Sequence, residues 1–168
     1  MAVLDYTSTN VALNFEEYLI NEGRMFYFTE RLTAQTGTLK YMIRTGALPV
    51  HINLTLTASV STDINIVEGV TTTVVGTAIP TFNYLRPSAK TPLALVYKGP
   101  TYTLGNTIRQ SRAGAGTSPG QGSTSSAGIP LKYVLKANTD YAFEHTPSAS
   151  ADLLYSAFFY EMVTEVGA

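Results

Sequence analysis

Between Pro49 and Val60 the chain alternates without a break: Val50, Ile52, Leu54, Leu56 and Ala58 are apolar, and His51, Asn53, Thr55 and Thr57 between them are polar. Successive side chains of an extended strand point to opposite faces, so a period of two gives one apolar and one polar face. A helix would scatter the same residues around its circumference. Shorter runs repeat the theme. Arg24–Thr29, Thr38–Arg44, Thr62–Val67, Thr71–Val75, Leu93–Tyr97, Leu131–Lys136 and Tyr141–His145 are rich in β-branched and aromatic residues and are separated by turn residues. Phe82–Leu85, close to Pro80 and Pro87, reads as loop or edge, because proline cannot donate to a ladder.

The strand from Asp152 to about Val163 is the longest. Leu153, Tyr155, Ala157, Phe159 and Glu161 share one parity, and Leu154, Ser156, Phe158 and Tyr160 the other. Aromatic residues on both parities predict a central strand buried on two sides. Ala137–Asp140 predicts a hairpin between its flanking strands, and the run through Glu68-Gly69 a meander.

About eight to ten short strands, with no amphipathic helical period among them, predict an all-β fold: an antiparallel β-sandwich, jelly-roll-like, over residues 24–168. Strand count alone does not separate a jelly roll from an immunoglobulin-like sandwich, although the lack of Trp and Cys removes the marks of antibody-type domains. Residues 1–23 read differently. Asn10 or Asn14 offers a cap, Phe15, Tyr18 and Leu19 fall on one side, and Gly23 ends the segment. This is either a short helix or an N-terminal arm that orders on a neighbouring subunit, with Phe15 and Tyr18 as anchors. A long Gly/Ser-rich loop is expected at about 99–128, since that stretch buries too little apolar surface to offset its ordering entropy; it is mobile or held by a partner.

The chain has 168 residues, enough for one domain that buries about two-thirds of its unfolded surface. With no cysteine and only two histidines, His51 and His145, disulfides and thiolate metal sites are excluded and a structural zinc site is hard to assemble. Charged residues make up 14% of the chain and the formal net charge is -1, which disfavours nucleic-acid binding. No signal peptide or membrane span is expected from the start Met1–Asp5 or from Leu153–Tyr160, which Ser156 interrupts.

Signals for catalysis are weak. Gly116-Thr117-Ser118-Pro119-Gly120 matches the spacing of a nucleophile elbow, but it lacks a preceding strand and a following helix, and Pro119 removes an oxyanion-hole N–H. Asp63 with Glu68, or Glu144 with Asp152, offer carboxylates, and no spacing selects them as a catalytic pair. Asn53-Leu54-Thr55 matches a glycosylation acceptor in mid-strand. The expectation is therefore no enzyme, no cofactor and no metal. Arg109 and Arg112 flank the loop and can reach acidic groups on a partner. Tyr84, Tyr97 and Tyr102 offer a sugar-stacking platform, which sustains a lectin-like alternative.

Val67-Glu68-Gly69-Val70-Thr71 through Gly76-Thr77, with Asn83 and Arg86-Pro87-Ser88, resembles small virion proteins of tailed bacteriophages, and so does Leu135–Tyr141. Phe158-Phe159-Tyr160-Glu161 looks like that family's aromatic C-terminal strand ending in an acidic residue. The likeness covers roughly Gly37 to Glu161; Leu85 stands where a polar or basic residue is expected, and Val11–Gly23 has no counterpart. The resemblance implies a head decoration or cement protein, made in the host bacterial cytoplasm and located on the capsid surface of the virion. It implies as partners the major capsid protein and copies of the chain itself, as dimer or trimer, with neck and tail locations open, while a glycan ligand belongs to the lectin-like alternative. Phe15, Tyr18, Tyr84, Arg86, Tyr102, Arg109 and Arg112 are the candidate partner-binding residues.

Overall fold

A computed structural model of the protein describes residues 15–103, 105–113 and 129–162. Helix α1 (Phe15–Asn21) is followed by β1 (Met25–Gln35), β2 (Leu39–Arg44), β3 (Val50–Ala58) and β4 (Thr62–Glu68). Five short strands come next: β5 (Thr71–Val74), β6 (Thr77–Ile79), β7 (Phe82–Asn83), β8 (Leu95–Lys98) and β9 (Thr101–Thr103). The last strands among the described residues are β10 (Asn106–Ala113), β11 (Ile129–Leu135), β12 (Asp140–Pro147) and β13 (Ala151–Glu161).

Two antiparallel sheets face each other, in the orders β11-β3-β13-β1-β7 and β10-β4-β12-β2-β8-β6. With the short strands set aside, β1-β13-β3-β11 lies opposite β2-β12-β4-β10. This is the strand order of an eight-stranded jelly roll, and it decides between the two sandwich types that strand count leaves open. The alternating residues supply the core. Val50, Ile52, Leu54, Leu56 and Ala58 of β3 and Leu153, Tyr155, Ala157 and Phe159 of β13 meet Tyr41, Ile43, Ile64, Ile66 and Phe143 of the other sheet, all of them buried.

Residues 69–105 form an insertion between β4 and β10, which are neighbours in one sheet. The insertion wraps one edge of the sandwich: β8 and β6 extend the six-stranded sheet beyond β2, and β7 extends the five-stranded sheet beyond β1. Its β5–β9 pair covers the outer face of the six-stranded sheet, where Val70, Val75, Tyr97 and Tyr102 pack on Met42, Val67 and Ala142. Asp140 pins this layer. It accepts a two-pronged pair from Arg44 at 2.8 and 2.7 Å and a bond from the Thr72 hydroxyl at 2.7 Å, and the Arg44 bond holds its carboxyl below the usual carboxylate range.

Helix α1 ends as its sequence predicts. Gly23 takes φ +62°, its N–H bonds the Ile20 carbonyl, and the Arg24 N–H bonds that of Leu19, which together make a Schellman cap. Leu19 is the buried residue of the helix, and Glu16 and Glu17 occupy the first turn, where the helix dipole favours negative charge. Residues 1–14 lie outside the described residues.

Four expectations need correcting. The 137–140 turn does not close a hairpin, because β11 pairs with β3 in one sheet while β12 pairs with β2 and β4 in the other. The turn bonds to the β2–β3 connection instead: the Asn138 N–H donates to the Gly46 carbonyl, and the Thr45 hydroxyl donates to Lys136 and Thr139 carbonyls. The meander is absent too, since β3 and β4 lie in different sheets and β5 pairs with β9. β13 is central, between β3 and β1, but it is buried on one face only; Leu154 is 45% exposed and Phe158 and Tyr160 are half-buried. Finally, the loop expected at 99–128 holds β9 and β10 in its first half. β10 carries almost no buried side chain and so shows no apolar period; hydrogen bonding to β4 places it at the sheet edge. Residues 114–128 lie outside the described residues.

Candidate functional site

The outer face of the five-stranded sheet carries the residues of β1, β13, β3 and β11 whose parity points away from the core. Register sorts them into rows. Tyr160, His51 and Val134 form one row, and Tyr27, Phe158, Asn53 and Lys132 the next. Thr29, Ser156 and Thr55 follow, and Arg31, Leu154 and Thr57 close the far end. Bulky aromatic side chains thus occupy one half of the face and small hydroxyl-bearing ones its middle.

The insertion and the helix enlarge the aromatic half. Phe82 and Tyr84 pack on Tyr27 with ring centroids 5.7 and 4.8 Å away, and the Arg86 guanidinium sits 5.5 Å from the centre of the Phe82 ring. Phe15 meets Tyr160 edge-on at 5.6 Å, and His51 stacks on the other side of the pattern at 4.8 Å from Tyr160. Burial, with Lys132 nearby, lowers the His51 pKa, so its ring is neutral at pH 7; burial also raises the hydroxyl pKa of Tyr84 and Tyr160. Even so, Phe15 (57%), Tyr18 (44%), Phe82 (42%) and Tyr84 (41%) remain open to solvent.

Two hollows adjoin this half and share Arg24 and Glu161. One, of about 420 Å³, runs under Phe15, Tyr18 and Tyr160; the other, of about 320 Å³, opens towards Ala89, Lys90 and Thr91. The Glu161 carboxylate accepts the backbone N–H groups of Leu93 and Ala94 at 2.5 and 2.7 Å, tying the end of β13 to the insertion.

The structure brings four of the seven candidate residues, Phe15, Tyr18, Tyr84 and Arg86, to this face. The other three lie elsewhere. Tyr102 packs on the opposite sheet, with its hydroxyl bonded to Glu144 and Lys40 over its ring. Burial and the Glu144 carboxylate raise the pKa of that hydroxyl. Arg109 reaches the Tyr133 hydroxyl at 3.4 Å across the β10–β11 edge, and Arg112 pairs with Asp63 at 2.6 Å on the outer side of β4. Tyr84, Tyr97 and Tyr102 therefore do not form one sugar platform, since Tyr97 and Tyr102 belong to the cluster on the six-stranded sheet. Sequence reasoning missed Tyr27, Phe82, Phe158 and Tyr160. The signal was the second aromatic parity of β13, read as burial when it marks an exposed face.

Carboxylates singled out in the sequence are engaged separately. Asp63 holds Arg112, Glu68 holds Lys136 at 2.7 Å and accepts the Tyr141 hydroxyl, and Asp152 accepts the Ala34 N–H. Among the described residues no three His, Cys, Asp or Glu side chains converge as a metal site, and no helix is long and apolar enough to cross a membrane. Asn53 is 9% exposed. The Gly116–Gly120 elbow lies outside the described residues. Compared with known protein families, curated proteins and solved structures, the chain matches none.

Proposed function

We propose that the protein is a non-catalytic structural component of a tailed-bacteriophage virion, a decoration or cement protein that binds the major capsid protein lattice and stabilises it. The observation that carries this reading is the aromatic face in which exposed Phe82 and Tyr84 pack on half-buried Tyr27, with half-buried Tyr160 nearby on the same sheet. Soluble proteins that work alone rarely expose contiguous apolar patches beyond a few hundred Å², and interface cores are rich in Tyr, Phe and Arg. The jelly roll hosts capsid and lectin domains alike, which supports the reading only as a fold-level analogy. The resemblance of Val67–Thr77 and Leu135–Tyr141 to phage virion proteins supports the capsid role. A ligand that binds one state of a shell favours that state, and many weak symmetric contacts add through avidity.

Co-sedimentation with empty heads lacking the protein tests the reading. Saturable, stoichiometric binding is expected, and Phe82→Ser with Tyr84→Ser should weaken it at least about tenfold, the loss of a modest hot spot. Failure to bind heads overturns the decoration role. A glycan-array signal from the same protein would then favour carbohydrate binding.

A further inference from the structure

We infer that the hollow between the start of β1, the end of β13 and residues 89–91 binds a carboxylate carried on a short apolar body. The site is separate from the aromatic face, since none of Tyr27, Phe82 and Tyr84 lines it.

The hollow measures about 320 Å³, at the lower end of the range for small-ligand sites. At ~30 Å³ per water-sized group it has room for a ligand of roughly ten non-hydrogen atoms. Its apolar lining comes from Phe26, Leu48 and Ala89, and its charged lining from Arg24, Lys90 and Glu161. Phe26 belongs to the sandwich core and Leu48 is half-buried.

Nothing among the described residues neutralises the two cations: neither Arg24 nor Lys90 forms an ion pair. The Arg24 guanidinium makes one long bond, 3.4 Å to the Glu161 backbone carbonyl, which leaves most of its donors for a ligand. The Lys90 ammonium is anchored by the Glu22 carbonyl at 2.6 Å, a contact that positions the charge without cancelling it. Glu161 is the one acid of the lining, and its carboxylate is turned to backbone, where Oε1 takes the Leu93 and Ala94 N–H groups. Two cations against one engaged carboxylate leave the hollow with a net positive charge.

The walls are tied together through Asn83, which is buried. Its side chain donates to the Gly23 and Lys90 carbonyls at 2.9 and 3.2 Å and accepts the Leu85 N–H. The Lys90 N–H bonds the Ser88 hydroxyl, and the helix cap fixes Gly23. Preorganisation of this kind lowers the ordering cost of binding. The apolar lining then discriminates among anions. Phosphate is polar on every side and gains nothing from Phe26 and Leu48, whereas an organic acid is charged at one end and can lay its carbon body on them. A planar carboxylate also matches the guanidinium fork of Arg24 with two parallel bonds. A free organic acid and a glutamate side chain of a bound protein both offer this chemistry.

Chemical-shift titration of the full chain, labelled with ¹⁵N, tests the inference. Benzoate probes the free acid and N-acetylglutamate α-amide the side chain, with acetate and inorganic phosphate as controls. Saturable shifts of the Gly23, Arg24 and Thr91 amides are expected, with a Kd of about 1 mM for the better probe, the affinity of a ten-atom ligand of ordinary efficiency. Acetate and phosphate should bind at least about tenfold more weakly, because they lack the apolar body. Arg24→Gln should weaken the better probe about tenfold and Lys90→Gln about fivefold, with amides remote from the hollow unshifted as the check on folding. The tighter of the two probes identifies the source of the carboxylate. Shifts from both probes that fail to saturate by ~50 mM overturn the inference, as does binding that acetate or phosphate equals or that neither variant weakens. The inference does not rest on the capsid role, which co-sedimentation with heads tests separately.

Discussion

His145 projects from β12 into the core, 1% exposed, with its ring 4.8 Å from that of Tyr155 and 5.9 Å from that of Tyr41. Neither ring nitrogen has a hydrogen-bond partner among the described residues, and the same is true of the Tyr155 hydroxyl. Tyr41 differs: its hydroxyl donates to Glu30, which Lys98 holds from the insertion. Burial pushes the His145 pKa down from 6.5 to about 4. A lowered histidine pKa means that the unfolded chain binds the extra proton between those values. Stability is therefore full above about pH 6.5 and falls as the pH drops towards 4, by about 3 kcal/mol from this group. His145→Met, similar in volume and without polar nitrogens, is expected to hold or raise the Tm at pH 7. It should also flatten the fall in stability between pH 6.5 and 4 relative to the parent, as read from urea melts across that range. An equally steep fall in the variant would mean that His145 does not set the acid sensitivity of this range; Asp140 and Glu68, whose pKa values are lowered by Arg44 and Lys136, lose their stabilising effect only below their ordinary values of 3.8 and 4.5.

The insertion between β4 and β10 depends on close backbone approach. Gly76, between β5 and β6, has φ +90°, and a Cβ there would fall inside contact distance of the Lys98 carbonyl oxygen, with Gly99 and Pro100 backbone atoms 3.0 Å away. Backbone cannot step aside as a flexible side chain does. Gly76→Ala should cost about 2–3 kcal/mol, lowering the Tm by roughly 5–10 °C. Gly37, at φ +74° with nothing within 4 Å of its added Cβ, is the control, and Gly37→Ala should cost only the ~1 kcal/mol of left-handed backbone. Thermal melts of the two variants side by side measure the difference. Equal losses would mean that the approach of the two segments is not what holds the insertion.

At the scale of the molecule, the ends of the described chain close the fold on itself. β1 and β13 pair along their lengths, from Met25 opposite Tyr160 to Gln35 opposite Ala151, and β13 also separates β1 from β3. Truncation after Ser150 removes Leu153, Tyr155, Ala157 and Phe159 from the core and splits one sheet. The truncated chain is expected to show no cooperative thermal transition, and a sharp melt with native near-ultraviolet dichroism would contradict this account of β13. Pairing of such distant segments also places refolding of the intact chain in the slow range of non-local β folds, about milliseconds to seconds.

The alternation at Val50–Ala58, the glycine that ends α1 and the edge position of Phe82 follow from the sequence because each is local: parity, a left-handed φ, a missing proline donor. Parity says which residues share a face. It does not say what covers that face, so Phe158 and Tyr160 look like core when they line an outer surface, and Met42 and Ala142 point outward yet lie buried beneath β5 and β9. Nor does it say which strands pair: the turn at Asn138 suits a hairpin, and only its bonds to Thr45 and Gly46 carry the chain to the opposite sheet. Phe15, Tyr18, Tyr84 and Arg86 stand out in the sequence as aromatic and cationic residues outside the regular strands. Their union with Tyr27, Arg31 and Leu154 into one face exists only through the register of β1 against β13, a contact between residues more than a hundred positions apart. Local physics determined the elements, and long-range pairing determined which of their faces meet solvent.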